Sequence, residues 1–253
     1  MTEVFKRIFK EYKYLTQKNW SFREIGHHWD NTVDYDEINK KTDSYFRRFT
    51  DAFEICQIPD KSYILDICSR TGNGTLYFWQ RNKVKKAVCA DVSSEMQKIC
   101  AKVLSGAGVD FQTKLFDNLP LPFPDQEFED VICFETIEHF PQPAQLIKEM
   151  VRVTKKGGKI IITTPNWLWE PVHSIAAILN IHHSEGPHRF IHKKKLHQFI
   201  KEAGLSINKE ETTVFIPAGP KFLVRLGKWF EKKFKNSLMP HLGLRRIFIC
   251  TKR

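Results

Sequence analysis

The chain has 253 residues, of which 42% are hydrophobic and 13% are aromatic, and its formal net charge is +11. This length and composition suffice for one large hydrophobic core with additions. No stretch approaches the roughly 20 consecutive apolar residues that cross a bilayer, which argues against a membrane-spanning protein.

Six cysteines are scattered through the chain without a Cys-x-x-Cys pair, and most lie in apolar segments. They indicate buried thiols in a reducing compartment. The first 18 residues are charged throughout and lack the apolar segment of a secretory signal. We therefore expect a soluble, cytoplasmic protein.

The positive charge is concentrated towards the C-terminus. Residues 1–185 carry 24 Lys and Arg against 25 Asp and Glu, whereas residues 186–253 carry 16 against 4. Such asymmetry suggests an acidic partner, which would be phosphate groups, an anionic membrane surface or nucleic acid. A lysine-rich face that only keeps the protein soluble explains the same pattern.

Residues 3–57 show the three- and four-residue apolar spacing of helices. A buried strand and a glycine-containing loop follow at 62–75, with the sequence SYILDICSRTGNGT. The apolar run ends in Asp66, and Gly72 and Gly74 mark a turn into a helix. Ligands of α/β units bind beyond the carboxyl ends of the strands, so this loop is a candidate cofactor site.

The residues after this loop alternate between strands and helices, which predicts a doubly wound α/β sheet. We expect helices at 73–82, 93–105 and 143–154. The predicted strands lie at 62–67, 86–91, 109–115, 128–134 and 158–164.

Four motifs occur in a fixed order in this region. They are the loop at 62–75, the strand AVCAD ending at Asp91, the segment FDNLPLPF at 116–123, and Glu138-His139-Phe140 followed by a helix, a strand and Pro165-Asn166. Together they resemble the class I S-adenosylmethionine-dependent methyltransferases, particularly the branch that includes the ubiquinone and menaquinone methyltransferases. The resemblance is close over residues 60–166 and looser elsewhere.

The resemblance implies a mostly parallel, seven-stranded Rossmann-like sheet with N-terminal helices and a helical cap. Residues 205–215 and 245–251 are the candidates for the last two strands. The implied division is an N-terminal helical cap at 1–57, a cofactor-binding core at 58–166, a substrate-cap insertion at 167–191 and the C-terminal part of the sheet at 192–253.

S-adenosylmethionine is the implied cofactor, and the motifs assign its contacts position by position. Asp66 would orient the loop and face the amino-acid end, where Gly72 and Gly74 allow close backbone approach. Asp91 would bind the ribose. The remaining contacts fall to Val92 and Met96 as walls of the adenine, Asp117 and Asn118 at its edge, and Phe134 and Glu135 at the methionine end.

The loop departs from the family at Cys68 and Arg70, where the family normally has glycine. Cys68 is small enough to be tolerated, but Arg70 must swing outward or lie along the carboxylate of the ligand. An arginine here could replace lost backbone contacts with a charge-assisted hydrogen bond. It could equally mark a weakened site.

Methyl transfer requires that the acceptor be held in line with an activated methyl group and that its proton be removed. His139, after the fourth strand, is the candidate base, although a structural role is equally consistent with its position. His173 and His188 are alternatives. The reaction needs no metal, and we expect no metal site.

The segment after the fifth strand is expected to select the substrate. Asn166, Trp167 and Trp169 begin it, and its aromatic and aliphatic side chains at 167–169 and 175–181 would roof a pocket for an apolar or aromatic acceptor. In the resembled family a segment like the one from Trp29 to Tyr35 folds over the cofactor. The alternative for both segments is that they only pack the N-terminal helices on the core.

Residues 221–236 form a basic amphipathic pattern. It is typical of a helix that lies on a membrane surface and equally of a helix packed on the sheet with a wet basic face. A membrane contact would favour a hydrophobic or lipid-linked acceptor.

Two classes of function remain open at this stage. The first is a methyltransferase that acts on a small apolar, aromatic or lipid-like molecule. The second is a non-catalytic binding or scaffold protein with a degenerate loop. A nucleic-acid methyltransferase is a third class, against which stands the absence of a Pro-Pro-aromatic motif after the fourth strand and of any appended RNA-binding module.

Overall fold

The computed structural model describes residues 3–17, 19–40, 42–179, 184–234 and 239–253. Four helices precede the sheet: α1 (Glu3–Thr16), α2 (Phe22–Asp30), α3 (Tyr35–Asn39) and α4 (Asp43–Ile55). The alternating region comprises β1 (Ser62–Ile67), α5 (Asn73–Trp79), β2 (Val84–Asp91), α6 (Ser94–Ala107), β3 (Phe111–Leu115), β4 (Asp130–Phe134), α7 (Pro143–Val153) and β5 (Lys159–Pro165). The remainder comprises α8 (Glu170–Ile178), α9 (Lys193–Glu202), β6 (Leu205–Thr213), α10 (Lys221–Lys233) and β7 (Arg245–Lys252), with short 3₁₀ helices at Ile137–His139, Trp167–Trp169 and Met239–Leu242.

The strands form one seven-stranded sheet in the order β3-β2-β1-β4-β5-β7-β6. Strands β1 to β5 are parallel, and β7 is antiparallel to both β5 and β6. The predicted fold is therefore confirmed. Because β2 lies on one side of β1 and β4 on the other, the chain changes direction across the sheet at β1, and ligands of such sheets bind at this switch point.

Successive residues of the buried strands face opposite helical layers. Ile64 and Ala87 pack in the core that includes α5 and α6, whereas Leu65 and Val88 pack in the core that includes α7 and α9. Strands buried on both faces need apolar side chains at every position, which is why their sequences read as continuous apolar runs.

Several predicted ends are wrong by a few residues. The helix expected at 73–82 ends at Trp79, and Asn82 takes a left-handed φ of 61° in the turn that leads to β2. The strands expected from 109 and 128 begin at Phe111 and Asp130. The basic helix expected over 221–236 ends at Lys233, and residues 235 and 236 lie outside the described residues, as do residues 180–183 of the expected cap.

Candidate functional site

The loop between β1 and α5 has an unusual backbone. Cys68, Arg70 and Gly72 have φ angles of 51°, 48° and 77°, so every second residue is left-handed. A residue with a Cβ is strained in this conformation, typically by about 1–2 kcal/mol. Cys68 and Arg70, which stand where the family normally has glycine, therefore adopt a backbone conformation that glycine adopts more easily.

Asp91 closes this loop from the end of β2. Its carboxylate accepts the backbone N–H of Arg70 at 2.8 Å on one oxygen and that of Ser93 at 2.9 Å on the other. Each oxygen retains a further acceptor position, which suits the two hydroxyls of a ribose. The structure thus brings Asp91 to the loop, and its ribose contact stays a prediction.

Asp66 lies beneath the same loop and is fully buried. The hydroxyl of Thr75 donates to its carboxylate at 2.7 Å. Burial raises the pKa of Asp66 to about 7, even though the bond from Thr75 acts in the opposite direction. At neutral pH this carboxyl can therefore serve as a donor or as an acceptor.

The two loop glycines leave room for neighbouring side chains of the protein. A Cβ at Gly72 would lie 2.8 Å from Sγ of Cys100, and one at Gly74 would lie 2.9 Å from the ring of Phe134. Phe134 therefore packs directly on the first turn of α5. The sequence predicts that these glycines let the backbone approach the cofactor closely. The structure shows that they also let neighbouring side chains of the protein pack against the loop.

Helices α2 and α3 cover the loop, and we call residues 22–39 the lid. The lid begins at a capping box in which Glu24 N donates to Ser21 Oγ at 3.2 Å and Ser21 N donates to the Glu24 carboxylate at 2.8 Å. At the other end of α2, Ser93 Oγ donates to Asp30 at 2.6 Å. Trp29 and Tyr35, the predicted lid aromatics, are both buried in the closed structure.

Arg70 connects the lid to the core. Its guanidinium donates to Tyr35 Oη at 3.0 Å and to the carbonyl oxygen of Glu135 at 2.6 Å, and it lies 4.4 Å from the ring centre of Trp29. The buried Nε atom has no hydrogen-bond partner among the residues that the structure describes. The outward orientation considered for Arg70 is wrong, because the side chain points into the site beneath the lid.

The cavity between the lid and the loop has a volume of about 20 Å³. It holds about one water molecule, whereas ligand sites measure about 300–1,000 Å³. The chain is therefore in a closed conformation, and the lid must move to admit a cofactor. The residues around the cavity fit the implied cofactor. Asp66, Cys68 and Arg70 line the cavity, and the Nε atom of Arg70 has no partner among the described residues. Asp91 holds the loop beside the cavity.

The predicted adenine contacts are spread over three environments. Met96 is fully buried in α6, and Val92 is partly buried beneath α2. Asp117 is exposed and lines an open groove of about 550 Å³, together with Trp20 and Phe22 at the start of the lid. Asn118 is exposed and is not on the wall of this groove.

A second cavity, also of about 20 Å³, lies on the far side of Tyr45 and Arg48, which line both cavities. Its centre is the carboxylate of Glu135, which pairs with Arg245 and with Nη2 of Arg48 at 3.1 Å. Burial alone would raise the pKa of Glu135, but the two guanidinium groups outweigh it and lower the pKa to about 2. Glu135 is therefore ionised, and the cavity is polar.

Glu138 also lines the second cavity. It is 2% exposed and accepts a hydrogen bond from Thr164 Oγ1 at 2.9 Å. Burial raises the pKa of Glu138 to about 8, and the negative charge of Glu135 acts in the same direction. Two neighbouring carboxyl groups thus hold different protonation states at neutral pH.

Of the three histidines proposed for the acceptor side, His139 and His173 lie near the carboxylate of Glu185. His173 lines the second cavity with Nδ1 3.5 Å from the Glu185 carboxylate, and Nε2 of His139 lies 3.7 Å from the same group. Nδ1 of His139 is 3.2 Å from the Pro187 carbonyl, and burial, followed by the charge of Arg70, lowers the pKa of His139 to about 3. His188 is buried beside His139 but lines neither cavity.

The expected roof residues lie away from both cavities. Asn166 donates to the carbonyl groups of His241 and Gly243, so it holds the connection before β7. Trp169 Nε1 donates to the Leu242 carbonyl at 2.8 Å, and Trp167 is 40% exposed. The polar groups of Asn166 and Trp169 anchor the C-terminal segment in the closed structure, and the prediction that these three residues contact an acceptor stays a prediction.

Sequence reasoning missed several residues that the structure brings to the site. They are Tyr45, Arg48, Glu138, Glu185 and Arg245. Glu138 stands next to a predicted residue, and its place after a buried strand could have identified it. Arg48 and Arg245 lie almost 200 residues apart and carry no shared motif.

Comparison with known proteins gives a consistent family. The family model for the methyltransferase domain matches residues 65–162. The chain is 28% identical over 141 residues to the ubiquinone/menaquinone biosynthesis C-methyltransferase UbiE of Burkholderia mallei and of Burkholderia thailandensis. This match spans 54% of the chain and 58% of the relatives' length.

Solved structures share the fold over most of the chain. A methyltransferase of Thermotoga maritima that depends on S-adenosylmethionine superposes with a TM-score of 0.61 at 18% identity, covering 90% of this chain and 100% of that one. The [4+2]-cyclase SpnF gives a TM-score of 0.67 at 16% identity, covering 92% and 97%. Since one of these proteins is named as a cyclase, the fold alone does not determine the reaction.

Proposed function

We propose that the chain is a class I S-adenosylmethionine-dependent methyltransferase, which the family match over residues 65–162 and the UbiE relatives support, and that it transfers a methyl group from this cofactor to a small acceptor at the second cavity, which must widen to admit it. The observation that supports the proposal most is the left-handed loop at the switch point of the sheet, closed by Asp91 and adjoining a second, polar cavity.

S-adenosylmethionine supplies an activated methyl group on a sulfonium sulfur. The protein must hold the cofactor, place the acceptor in line and accept its proton. In the proposed site, Asp91 holds the ribose hydroxyls, Asp66 and the loop hold the amino-acid end, and Asp117 meets the edge of the adenine. Closure of the lid over these groups excludes water from the reacting atoms.

The acceptor is proposed to be lipid-like, with a polar reacting end. Arg48, Glu135 and Arg245 line the second cavity, so a purely apolar molecule would leave their charges poorly solvated. The relatives are named for ubiquinone and menaquinone biosynthesis. A hydroxylated aromatic ring with an apolar tail satisfies both observations, and it is the acceptor class to test first.

Glu138 is proposed as the group that takes the proton of the acceptor. Since its pKa is about 8, the ionised fraction increases about tenfold per pH unit below that value, and kcat should rise accordingly and level off above about pH 9. Glu138→Gln should remove this rise. If His139 were the base, its pKa of about 3 would leave kcat independent of pH above about pH 5.

Titration calorimetry with S-adenosylmethionine and S-adenosylhomocysteine tests the proposal directly. We expect micromolar binding that Asp91→Ala weakens at least tenfold, because the carboxylate and the shape of the loop are both lost. Asp110→Ala is the matched control, since Asp110 is exposed at the opposite edge of the sheet. A folded protein that binds neither compound would favour a non-catalytic binding protein.

Methyl transfer itself is measured with radiolabelled cofactor and a short-chain menaquinol precursor that lacks the ring methyl group. Transfer to this compound, but not to a carboxylic acid of similar size without the ring, is expected. Cofactor binding without transfer to any hydroxylated aromatic acceptor would contradict the proposed acceptor class while leaving the family assignment intact.

A further inference from the structure

Exposed apolar side chains are concentrated in a few segments of the protein. Among the described residues, 18 large hydrophobic side chains are exposed, and 14 of them belong to α1, the 3₁₀ helix at Trp167–Trp169, α8, α10 and the 3₁₀ helix at Met239–Leu242. Soluble proteins expose such residues singly, and a concentration of them marks an interaction surface.

These segments lie at one edge of the sheet. Pro165 and Thr213, the last residues of β5 and β6, both pair with Arg245, the first residue of β7. The chain from β6 to β7, which contains α10, therefore leaves and returns at the edge that carries the cofactor loop, and the segment that leads into α8 leaves β5 at the same edge. Helix α1 is joined to this edge because Arg7 Nε donates to the Ile178 carbonyl of α8 at 2.9 Å.

Helix α10 separates apolar and basic side chains into adjoining stripes. Phe222, Leu226 and Trp229 are 67%, 42% and 49% exposed and follow one another at helical spacing. The adjoining stripe consists of Lys221, Arg225, Lys228 and Lys232, all exposed. Within the part of the chain that the structure describes, none of these four is in an ion pair, and the acidic Glu231 is bound to Arg47.

Helix α1 repeats the arrangement. Phe5, Phe9 and Tyr12 are 61%, 71% and 64% exposed, and the next stripe around the helix carries Lys6, Lys10 and Lys13. An apolar stripe flanked by lysine is the pattern of helices that lie in the interface of an anionic bilayer.

We propose that α1, α8 and α10 form a docking surface for anionic phospholipid membranes. The basic stripes match the negative charge of such a surface. A second copy of the chain is a poorer occupant, because it would bring basic stripes of the same charge together. No helix among the described residues is long and apolar enough to cross a bilayer, and the proposed contact is with the surface. Docking here is independent of the proposed reaction, and it would place the site mouth beside the lipid.

Vesicle sedimentation of the full-length protein tests the proposal. The protein is expected to pellet with vesicles of phosphatidylcholine and phosphatidylglycerol but not with phosphatidylcholine alone, and less at high salt. Phe222→Ser with Trp229→Ser should reduce binding at least tenfold, and Lys228→Ala alone by about fivefold. The substituted side chains are exposed, so calorimetric cofactor binding should be unchanged.

Leu115→Ser is the matched control. Leu115 is 50% exposed and lies at the same ends of the strands, but on β3, the outermost strand, which β2, β1 and β4 separate from β5. Equal binding by all variants, or no binding by the wild-type protein, would overturn the proposal. A dimer in sedimentation velocity that Phe222→Ser with Trp229→Ser dissociates would overturn it in favour of self-association.

Discussion

Arg70 fills with one side chain the space between the loop, the lid and the end of β4. It gives the lid a cation–π contact to Trp29 and a hydrogen bond from its guanidinium to Tyr35, and it also satisfies the Glu135 carbonyl. A ligand that enters the site must displace this side chain. Arg70 is therefore both a wall of the site and an obstacle to its opening.

Replacing Arg70 by glycine should make the site easier to open. The lost contacts amount to about 2 kcal/mol, which would raise the open population about thirtyfold. We expect cofactor association, measured by stopped-flow mixing, to become about tenfold faster or more. Cys68→Gly is the control, because it changes the same left-handed loop without removing a lid contact. Weaker binding by Arg70→Gly would show instead that the guanidinium holds the cofactor carboxylate.

Glu135 links stability to pH. The pKa of Glu135 falls from 4.5 to about 2 on folding. Its contribution to the free energy of unfolding is therefore fully present above pH 4.5 and is lost as the pH falls towards 2. The contribution is on the order of 3 kcal/mol. Urea unfolding at pH 5 and at pH 3 should therefore show a smaller loss of stability for Glu135→Gln than for the wild-type protein. Identical losses would mean that the Arg48 and Arg245 pairs do not persist in solution.

At the scale of elements, α2 is the part of the lid that contacts the core most closely. A Cβ at Gly26 would lie 2.5 Å from the Val92 carbonyl oxygen, so α2 packs with its backbone directly on the loop after β2. The lid therefore closes only because this position lacks a side chain.

Gly26→Ala should lift α2 from the loop and destabilise the protein by about 1–3 kcal/mol, since the backbone of Val92 cannot yield easily. Limited proteolysis should then cut the lid faster while the core stays intact. Gly106→Ala in α6 serves as the control, because no atom lies within 4 Å of its added Cβ and alanine favours helix by up to about 1 kcal/mol. Unchanged cleavage of the lid in Gly26→Ala would refute this account.

The sequence best predicts the elements whose formation depends on neighbouring residues in the chain. The sequence predicts β1, β2, β4 and β5 from their continuous apolar runs, because parallel strands are buried on both faces. It predicts the acidic residues at the ends of β1 and β2 as site residues, because such sheets bind ligands at the carboxyl ends of their strands. The ends of helices are harder to predict, since one left-handed residue such as Asn82 can determine where the chain turns towards the next strand.

The acceptor side could not be predicted in the same way. Arg48 in α4 and Arg245 in β7 meet at Glu135 only after the sheet and the N-terminal helices have assembled. In the sequence, Arg245 reads as part of the basic C-terminal segment, yet it is 2% exposed. The closed cavity is likewise a property of packing, because it depends on where the lid rests.

At the scale of the whole molecule, ligand binding and folding are coupled through the lid. A ligand that binds only the folded chain adds about 2.7 kcal/mol of stability at 100 times its Kd. For a chain of this length we expect the Tm to rise by roughly 5–10 °C with S-adenosylhomocysteine, measured by calorimetry. Asp91→Ala, which is expected to bind at least tenfold more weakly, should show at the same ligand concentration a rise of at most about half this size, and an equal rise in both proteins would place the ligand elsewhere.

Tyr45 and Arg48 form a wall that the two cavities share, and Arg48 Nη1 donates to Tyr35 of the lid at 2.6 Å. When the lid opens for the cofactor, Arg48 loses this partner and keeps its contacts to Tyr45 and to Glu135 in the second cavity. Opening of the first cavity thus changes a wall of the second, and we expect the two substrates to bind in a compulsory order with the cofactor first. In steady-state kinetics, S-adenosylhomocysteine would then compete with the cofactor and act as a mixed inhibitor against the acceptor.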